Sequence, residues 1–409
     1  MIKKIILGSL FLFSLHTIAQ EGTASPYSFH GIGEVKFKGT IENRSMGGLG
    51  ILNDSIHINL QNPAALSSLK LTTFAVAGTF SPTKLKNDTE TQKAQRTTLD
   101  YLSMAFPAGK LVVNLGLMPY SAVGYKIVSN TGTESYKYDG TGGVNKAFVG
   151  AGYQLNKKIS FGAEIAYNFG KIERNVAFFG NDLQNGINEL NKSEIGGLSL
   201  NSGLIYKTKI KNYNFVSSLS FAPSAVLNSN NLRQTGTLSV QGSTIVLSNV
   251  TEDDVPNTKL RLPSKLSIGT GIGDEKKWFV GTEISLLSKG DLDVDLNDEA
   301  VYEKGSKFSL GGYFTPKYNS FSNYFDRITY RAGLRYEKTG LVVRNESIKD
   351  QALTLGLGFP LGGTFSNINL GFELGKKGTT NAGLVQENYM NFSVGLSFND
   401  RWFVKRKFD

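Results

Sequence analysis

The sequence predicts an all-β protein, a transmembrane antiparallel β-barrel of about 14 strands with an N-terminal plug in its lumen. Three observations lead there. Stripes of period two recur along the chain: Ile159, Phe161, Ala163, Ile165, Tyr167 and Phe169 alternate with polar or small neighbours, and Met390, Phe392, Val394, Leu396 and Phe398 repeat the stripe near the C-terminus. Successive strand side chains face opposite ways, so one face is apolar. Many stripes reach the ~9–11 residues that a tilted strand needs to cross a bilayer, beyond the ~5–6 usual in soluble sheets. Finally, the connecting segments alternate short and long.

Residues 1–19 read as a removable export signal, with a charged Met1-Ile2-Lys3-Lys4, an apolar Ile5 to Leu15 and a small-x-small Thr17-Ile18-Ala19 site. The chain has no Cys, which excludes an acylated N-terminus and disulfide staples. Beyond the signal no apolar run of ~18 residues occurs, which excludes helical spans but not a barrel, where every second residue meets lipid.

Residues 20–70 do not alternate. They carry Arg44-Ser45-Met46-Gly47-Gly48-Leu49-Gly50 and Leu60-Gln61-Asn62-Pro63-Ala64-Ala65-Leu66. Glycine at this density lets backbone turn tightly or approach another wall, and Asn62-Pro63 marks a turn. A polar, Gly-rich stretch ahead of the first strand fits a lumen plug or hatch, with Arg44, Gly47, Gly48, Gly50, Asn62 and Pro63 as its gating candidates. A mobile arm is the plainer alternative.

Periodicity and breakers then place the barrel at 71–400, with strands near 72–81, 98–107, 111–128, 142–155, 159–175, 193–208, 212–228, 260–273, 277–288, 305–317, 327–339, 351–360, 365–377 and 389–399. An even count puts both termini on one side, the periplasm, where the short turns belong. The longer segments at 82–97, 129–141, 181–192, 229–259, 289–304, 340–350 and 378–388 are expected as external loops, the longest carrying a hairpin at 234–250. The connection 318–326 is long for a short-turn slot. Residues 401–409 form a basic periplasmic tail.

Parity assigns the wall. Ala147, Val149, Ala151 and Tyr153, then Trp278, Val280, Thr282 and Ile284, then Ile328, Tyr330, Ala332, Leu334 and Tyr336 are expected to face lipid. Lys146, Glu164, Lys265, Glu283, Arg331, Arg335, Glu337 and Glu373 then face the lumen. The reverse would cost roughly 2–4 kcal/mol per Lys or Arg at the midplane. Pro119, flanked by Gly116 and Gly124, falls inside the third strand, where it cannot donate a ladder hydrogen bond and implies a bulge or a local gap.

Arg331, Arg335 or Arg44 can pair with a ligand carboxylate, or with lumen neighbours such as Glu337 and Glu373. The net charge of +10 is dispersed, without the basic face and stacking aromatics that nucleic acid requires. Of the 3 His, His16 falls in the signal and His30 and His57 in the plug region, so no enzyme is expected, and no metal or cofactor. The acidic 291–299 segment reads as a solvated loop or a divalent bridge to lipopolysaccharide.

The Arg44–Gly50 element followed by Asn62-Pro63-Ala64 resembles the plug region of the FadL/TodX outer-membrane transporter family; Leu262–Gly269 with Trp278–Gly281, and the ending Asn399–Phe403, are similar to that family's later hairpin and tails. The resemblance implies fourteen strands, an N-terminal plug, an outer-membrane location, and passive uptake of hydrophobic compounds such as long-chain fatty acids. It also implies a lateral portal at a kinked third strand, which Gly116, Pro119 and Gly124 would form. Relatives include barrels that accompany secretion and assembly machines, so an accessory subunit of a larger outer-membrane complex is the alternative. A plug-free diffusion porin comes third. The partners implied are membrane lipids, lipopolysaccharide and a hydrophobic small molecule.

Overall fold

The computed structural model describes residues 22–52, 54–180, 185–241, 244–274, 277–292, 300–362 and 365–402. The signal at 1–19, most of the acidic loop and tail residues 403–409 lie outside these.

The wall is a closed antiparallel barrel of 14 strands. In chain order these are β1 (Thr72–Lys86), β2 (Thr91–Ala108), β3 (Leu111–Asn130), β4 (Glu134–Gln154), β5 (Ile159–Gly180), β6 (Asn185–Ile210), β7 (Tyr213–Ala222, continued by Ala225–Gln241), β8 (Thr258–Leu262, continued by Lys265–Asp274), β9 (Trp278–Leu287), β10 (Gly305–Phe314), β11 (Thr329–Val343), β12 (Glu346–Pro360), β13 (Asn367–Lys377) and β14 (Gln386–Asp400). Closure comes from β14 on β1, from Asp400↔Thr72 to Gln386↔Lys86, so neither the first nor the last strand of the wall is left as a free edge. Every predicted strand is present. Exposure alternates along each: Phe161, Ile165, Tyr167, Val280, Ile284, Leu334 and Tyr336 are exposed on the outside, while Lys146, Glu164, Glu283, Arg331 and Glu373 are buried inside.

Two expectations need correction. Much of what reads as external loop is strand: Pro82 pairs with Gln95, Val128 with Lys137 and Val343 with Glu346. Above the apolar band both faces tolerate polar residues, so the alternation fades while backbone groups still need partners. The turn at Arg344-Asn345 has two positive φ angles, 50° and 63°, the geometry of a tight hairpin. The longest connection does contain a hairpin, Ala225–Gln241 against Thr244–Asp254. Secondly, Ile328 is buried, not lipid-facing. It ends a one-turn helix, Phe325–Arg327, that resets parity before β11 begins. The long connection is a braced loop: Lys317 N–H donates to Asp326 O (2.8 Å), and Asn323 Nδ2 donates to Asp326 Oδ1 (3.1 Å).

Residues 22–52 and 54–71 lie against the inner face of this wall. One-turn helix α1 (Ile41–Arg44) follows Thr40, whose N–H and hydroxyl both donate to Asn43 Oδ1. A second short helical segment, Pro63–Ser68, begins at Asn62, whose side chain accepts from Ala64 N–H (3.0 Å). Ile41, Leu60, Leu66 and Leu69 are buried with Tyr101, Met118 and Phe148 of the wall, each contributing roughly 1.5–3 kcal/mol. Glycines floor the contact. A side chain at Gly152 would strike Pro63 O (2.7 Å) and Ser67 N (2.8 Å), and one at Gly333 would strike Met46 and Gly47.

Overpacking that floor tests the docking. Gly333→Val should lower stability by about 1–3 kcal/mol and speed limited proteolysis after Arg44, while the strand signal in circular dichroism is unchanged.

Candidate functional site

Gly47 and Gly48 both have positive φ, 70° and 79°, which the turn after α1 demands and other residues resist. That turn aims backbone donors at the wall: Gly47 N–H to Thr354 Oγ1 (2.9 Å) and Gly50 N–H to Glu283 Oε2 (2.8 Å). Asn62 Nδ2 donates to Leu219 O (3.3 Å), so the Asn62-Pro63 element reaches the wall too.

Arg44 and Arg335 converge on Glu373. Arg335 Nη2 lies 2.7 Å from Glu373 Oε1 and 2.9 Å from Asp350 Oδ2, and Arg44 Nε lies 3.6 Å from Glu373 Oε2. Arg44 Nη1 also donates to Thr79 Oγ1 (2.9 Å) and sits 3.4 Å from Asp100 Oδ2. Tyr389 OH accepts from Arg335 (2.9 Å) and donates to Asp350 (2.6 Å). Both arginines are thus held by carboxylates of the protein itself. Arg331 lies elsewhere, donating to Asn369 Oδ1 (2.9 Å), which in turn donates from Nδ2 to Glu42 (2.7 Å). Glu337 lines the cavity above, beside Lys38 and Lys265. Asp100, Asp350 and Tyr389 are members that sequence reasoning missed: Asp100 is the extra residue of a bulge in β2, between Leu99↔Gly78 and Tyr101↔Ala77, Asp350 falls in a stretch that reads as loop, and Tyr389 is an inward position of β14 visible only by parity.

At Pro119 the ladder between β3 and β4 shifts register, with Pro119↔Asn145 followed by Ser121↔Val144. The larger break is on the other side. Pairing between β2 and β3 ends at Leu102↔Leu117, yet β2 continues beside β1 to Thr91↔Lys86 and β3 beside β4 to Asn130↔Ser135. The two strands part above Pro119. The N-terminal segment covers the freed edge of β3: Glu34↔Ala122 and Val35↔Ser121 pair as a short strand, Lys36 N–H donates to Tyr120 O (2.9 Å), and Ser121 Oγ donates to Ile32 O (2.7 Å). Gly124 N–H donates to Ser28 Oγ (3.2 Å). Gly116 packs closely on Phe148 of β4. Glu34 ties the cover to the wall through Lys377 (2.8 Å). The parting itself, Pro119 with Arg96, Thr98 and Asp100 of β2, opens onto a polar cavity of about 240 Å³ that Arg44 and Glu373 also line. Glu34, Val35 and Tyr120 also line a second cavity, of about 260 Å³, with Leu262, Leu292, Tyr302, Leu341 and Ile348 together with Lys38, Lys146 and Glu164.

The segment's other anchor is electrostatic. His57 Nδ1 is 2.6 Å from Asp54 Oδ2, and its Nε2 is 3.7 Å from Glu42. The two carboxylates push the His57 pKa up despite its burial, and His57 holds Asp54 down at about 2. A raised histidine pKa stabilises below the unfolded value and is lost as pH rises through the folded one; the depressed Asp54 contributes above its unfolded value and is lost only near pH 2. The anchor is therefore complete in mildly acidic solution. Raising pH from 5.5 to 9 should loosen residues 54–57, read as faster amide exchange there, and His57→Gln should abolish that pH dependence.

Against known proteins, the family model BamG matches residues 1–409. No curated protein matches. Among solved structures the chain is similar to the CymD monoaromatic hydrocarbon channel (13% identity, TM-score 0.60, covering 89% of this chain and 98% of that one). It is also similar to the Pseudomonas putida toluene transporter TodX (16%, 0.58, 91% and 100%) and to a Pseudomonas aeruginosa FadL homologue (10%, 0.58, 90% and 99%). These neighbours share the fold, a FadL/TodX-type barrel. With its whole length matched by one family model, the chain belongs to the BamG family.

Proposed function

We propose that this chain is an outer-membrane barrel, both termini periplasmic, that gives hydrophobic compounds a passive route from the outside into the bilayer. The observation that carries the reading is the parting of β2 and β3 at Pro119, closed by a cover, Glu34–Val35, that also lines a partly apolar cavity. Residues 20–70 act as the plug, and the Glu34–Val35 strand as the cover of the lateral exit. A solute enters among the external hairpins, rests in the cavity, and leaves when the cover yields. The hydrocarbon-channel neighbours support this path. Because Arg44 and Arg335 are already bound to Glu373, Asp100 and Asp350, they hold the plug rather than await a carboxylate, and the ligand's polar group is left to the cavity lysines. Lipopolysaccharide and phospholipid surround the wall.

A second reading, an accessory subunit of a larger outer-membrane secretion or assembly machine, is favoured by the whole-chain BamG match and by how firmly the lower lumen is filled. In it the plug stays shut and the outer wall or hairpins dock on the partner.

Purification from native membranes in mild detergent separates the two. A lone barrel with extractable hydrocarbon or fatty acid supports transport, and a stoichiometric large partner supports the accessory role. For transport, cells lacking the chain should take up labelled long-chain fatty acid several-fold more slowly. Charge reversal at both Arg331 and Arg335 should unseat the plug and raise uptake; unchanged uptake in correctly folded protein would show that these side chains do not hold it shut.

A further inference from the structure

The wall is broken a second time, far from Pro119. Between β6 and β7 the ladder runs up to Ser202↔Phe221 and resumes only at Gly196↔Asn228, one residue out of register. Below, the break is bounded by Ser202 Oγ donating to Phe221 O (3.1 Å). Above, Gly197 lies so close to Val226 O that a side chain there would meet it at 2.7 Å. The four residues between, 198–201, span about 13 Å at ~3.3 Å each.

The cause is in β7 and β8. Pro223 and Pro263 sit at neighbouring register positions, bracketed by Ala222↔Lys265 and Ala225↔Leu262, and neither can donate. Ser224 Oγ donates instead to Leu262 O (2.8 Å). This holds β7 to β8 while β7 bends away from β6.

The break lies within the lipid-facing band. Leu198 pairs with Tyr167 and Leu200 with Ile165 on β5, and all four are exposed outward, Leu198 at 59% and Leu200 at 54%. Phe221 and Val226 flank the opposite lip. Unpaired strand edges do not survive against hydrocarbon unless they line a cavity. Here they do: the 260 Å³ cavity that touches Gln61, Tyr120 and Lys38 inside also touches Leu200, Ala222 and Pro223.

We propose that this opening is a lateral window that binds one hydrocarbon chain, threaded between the apolar lips Leu200 and Phe221 into the cavity. The chain comes from a membrane lipid or from a free apolar solute. The site does not depend on the transport reading, since an accessory barrel would hold a lipid there equally.

The chain has no Cys, so Ala222→Cys carries a unique fluorophore on the cavity side of the window, and Ser285→Cys carries it inside the fully paired β9. The full-length protein is reconstituted in phospholipid bearing a nitroxide midway along its acyl chain. Quenching at position 222 should be several-fold stronger than at 285, and Pro223→Val, which restores a donor, should reduce it. Adding a nitroxide-bearing free alkane to protein in unlabelled bilayers distinguishes solute from lipid: quenching at 222 in either arm supports the window, and names its occupant. Equal quenching at 222 and 285, or none at 222 in both arms, overturns it. Normal fatty-acid uptake with no quenching would remove the window and leave the transport reading standing.

Discussion

In a bilayer every backbone N–H and C=O must find a partner within the protein, because hydrocarbon offers none. This constraint forces the sheet to close β14 on β1, and it extends the strands beyond the apolar band, where the hairpins Pro82–Gln95 and Val128–Lys137 still pair although their side chains no longer alternate. The same constraint gives weight to each break. Where the ladder between β2 and β3 stops, a piece of the N-terminal segment pairs in its place. Where the ladder between β6 and β7 stops, a cavity lies behind it.

The second organising feature is the charged lumen. Arg44, Arg335, Glu373, Asp350 and Asp100 are all removed from bulk water, and such clusters contribute little net stability because desolvation offsets attraction. Their effect is on position. Breaking one partner strands the others at a cost of about 3–5 kcal/mol, so residues 41–50 have one low-energy seat. Apolar burial of Ile41, Leu60, Leu66 and Leu69 supplies the adhesion, and the wall glycines Gly152 and Gly333 supply the fit.

The wall was legible because period two and turn spacing are local: Val280 and Glu283, or Tyr336 and Arg335, differ by parity alone. Parity failed at Ile328, where three helical residues interpose, and loop boundaries failed where polar strand resembles polar loop. For the site, the glycines at 47 and 48 and the Asn62-Pro63 turn were readable from their conformational needs. Their partners were not, because Thr354, Glu283 and Leu219 come from 157 to 307 residues away. Pro223 and Pro263 carried the same signal as Pro119. Their consequence depends on a register match between two strands, which no local pattern reveals.

The two breaks differ in what closes them, and this sets how each behaves. At β2–β3 the cover belongs to the segment seated by Arg44 and His57: Glu34, Val35 and Lys36 supply the hydrogen bonds that β3 lacks from β2, and Glu34 is tied to Lys377 on β13. Lifting that cover would expose strand edge and separate an ion pair in one movement, so on the proposed route displacement of the N-terminal segment and opening of the seam would be a single transition. At β6–β7 the break is set within the wall itself, by the proline pair where β7 meets β8. No rearrangement of residues 22–71 is needed to form it. On the two proposals made above, the barrel holds one opening governed by its N-terminal segment and one fixed by its backbone.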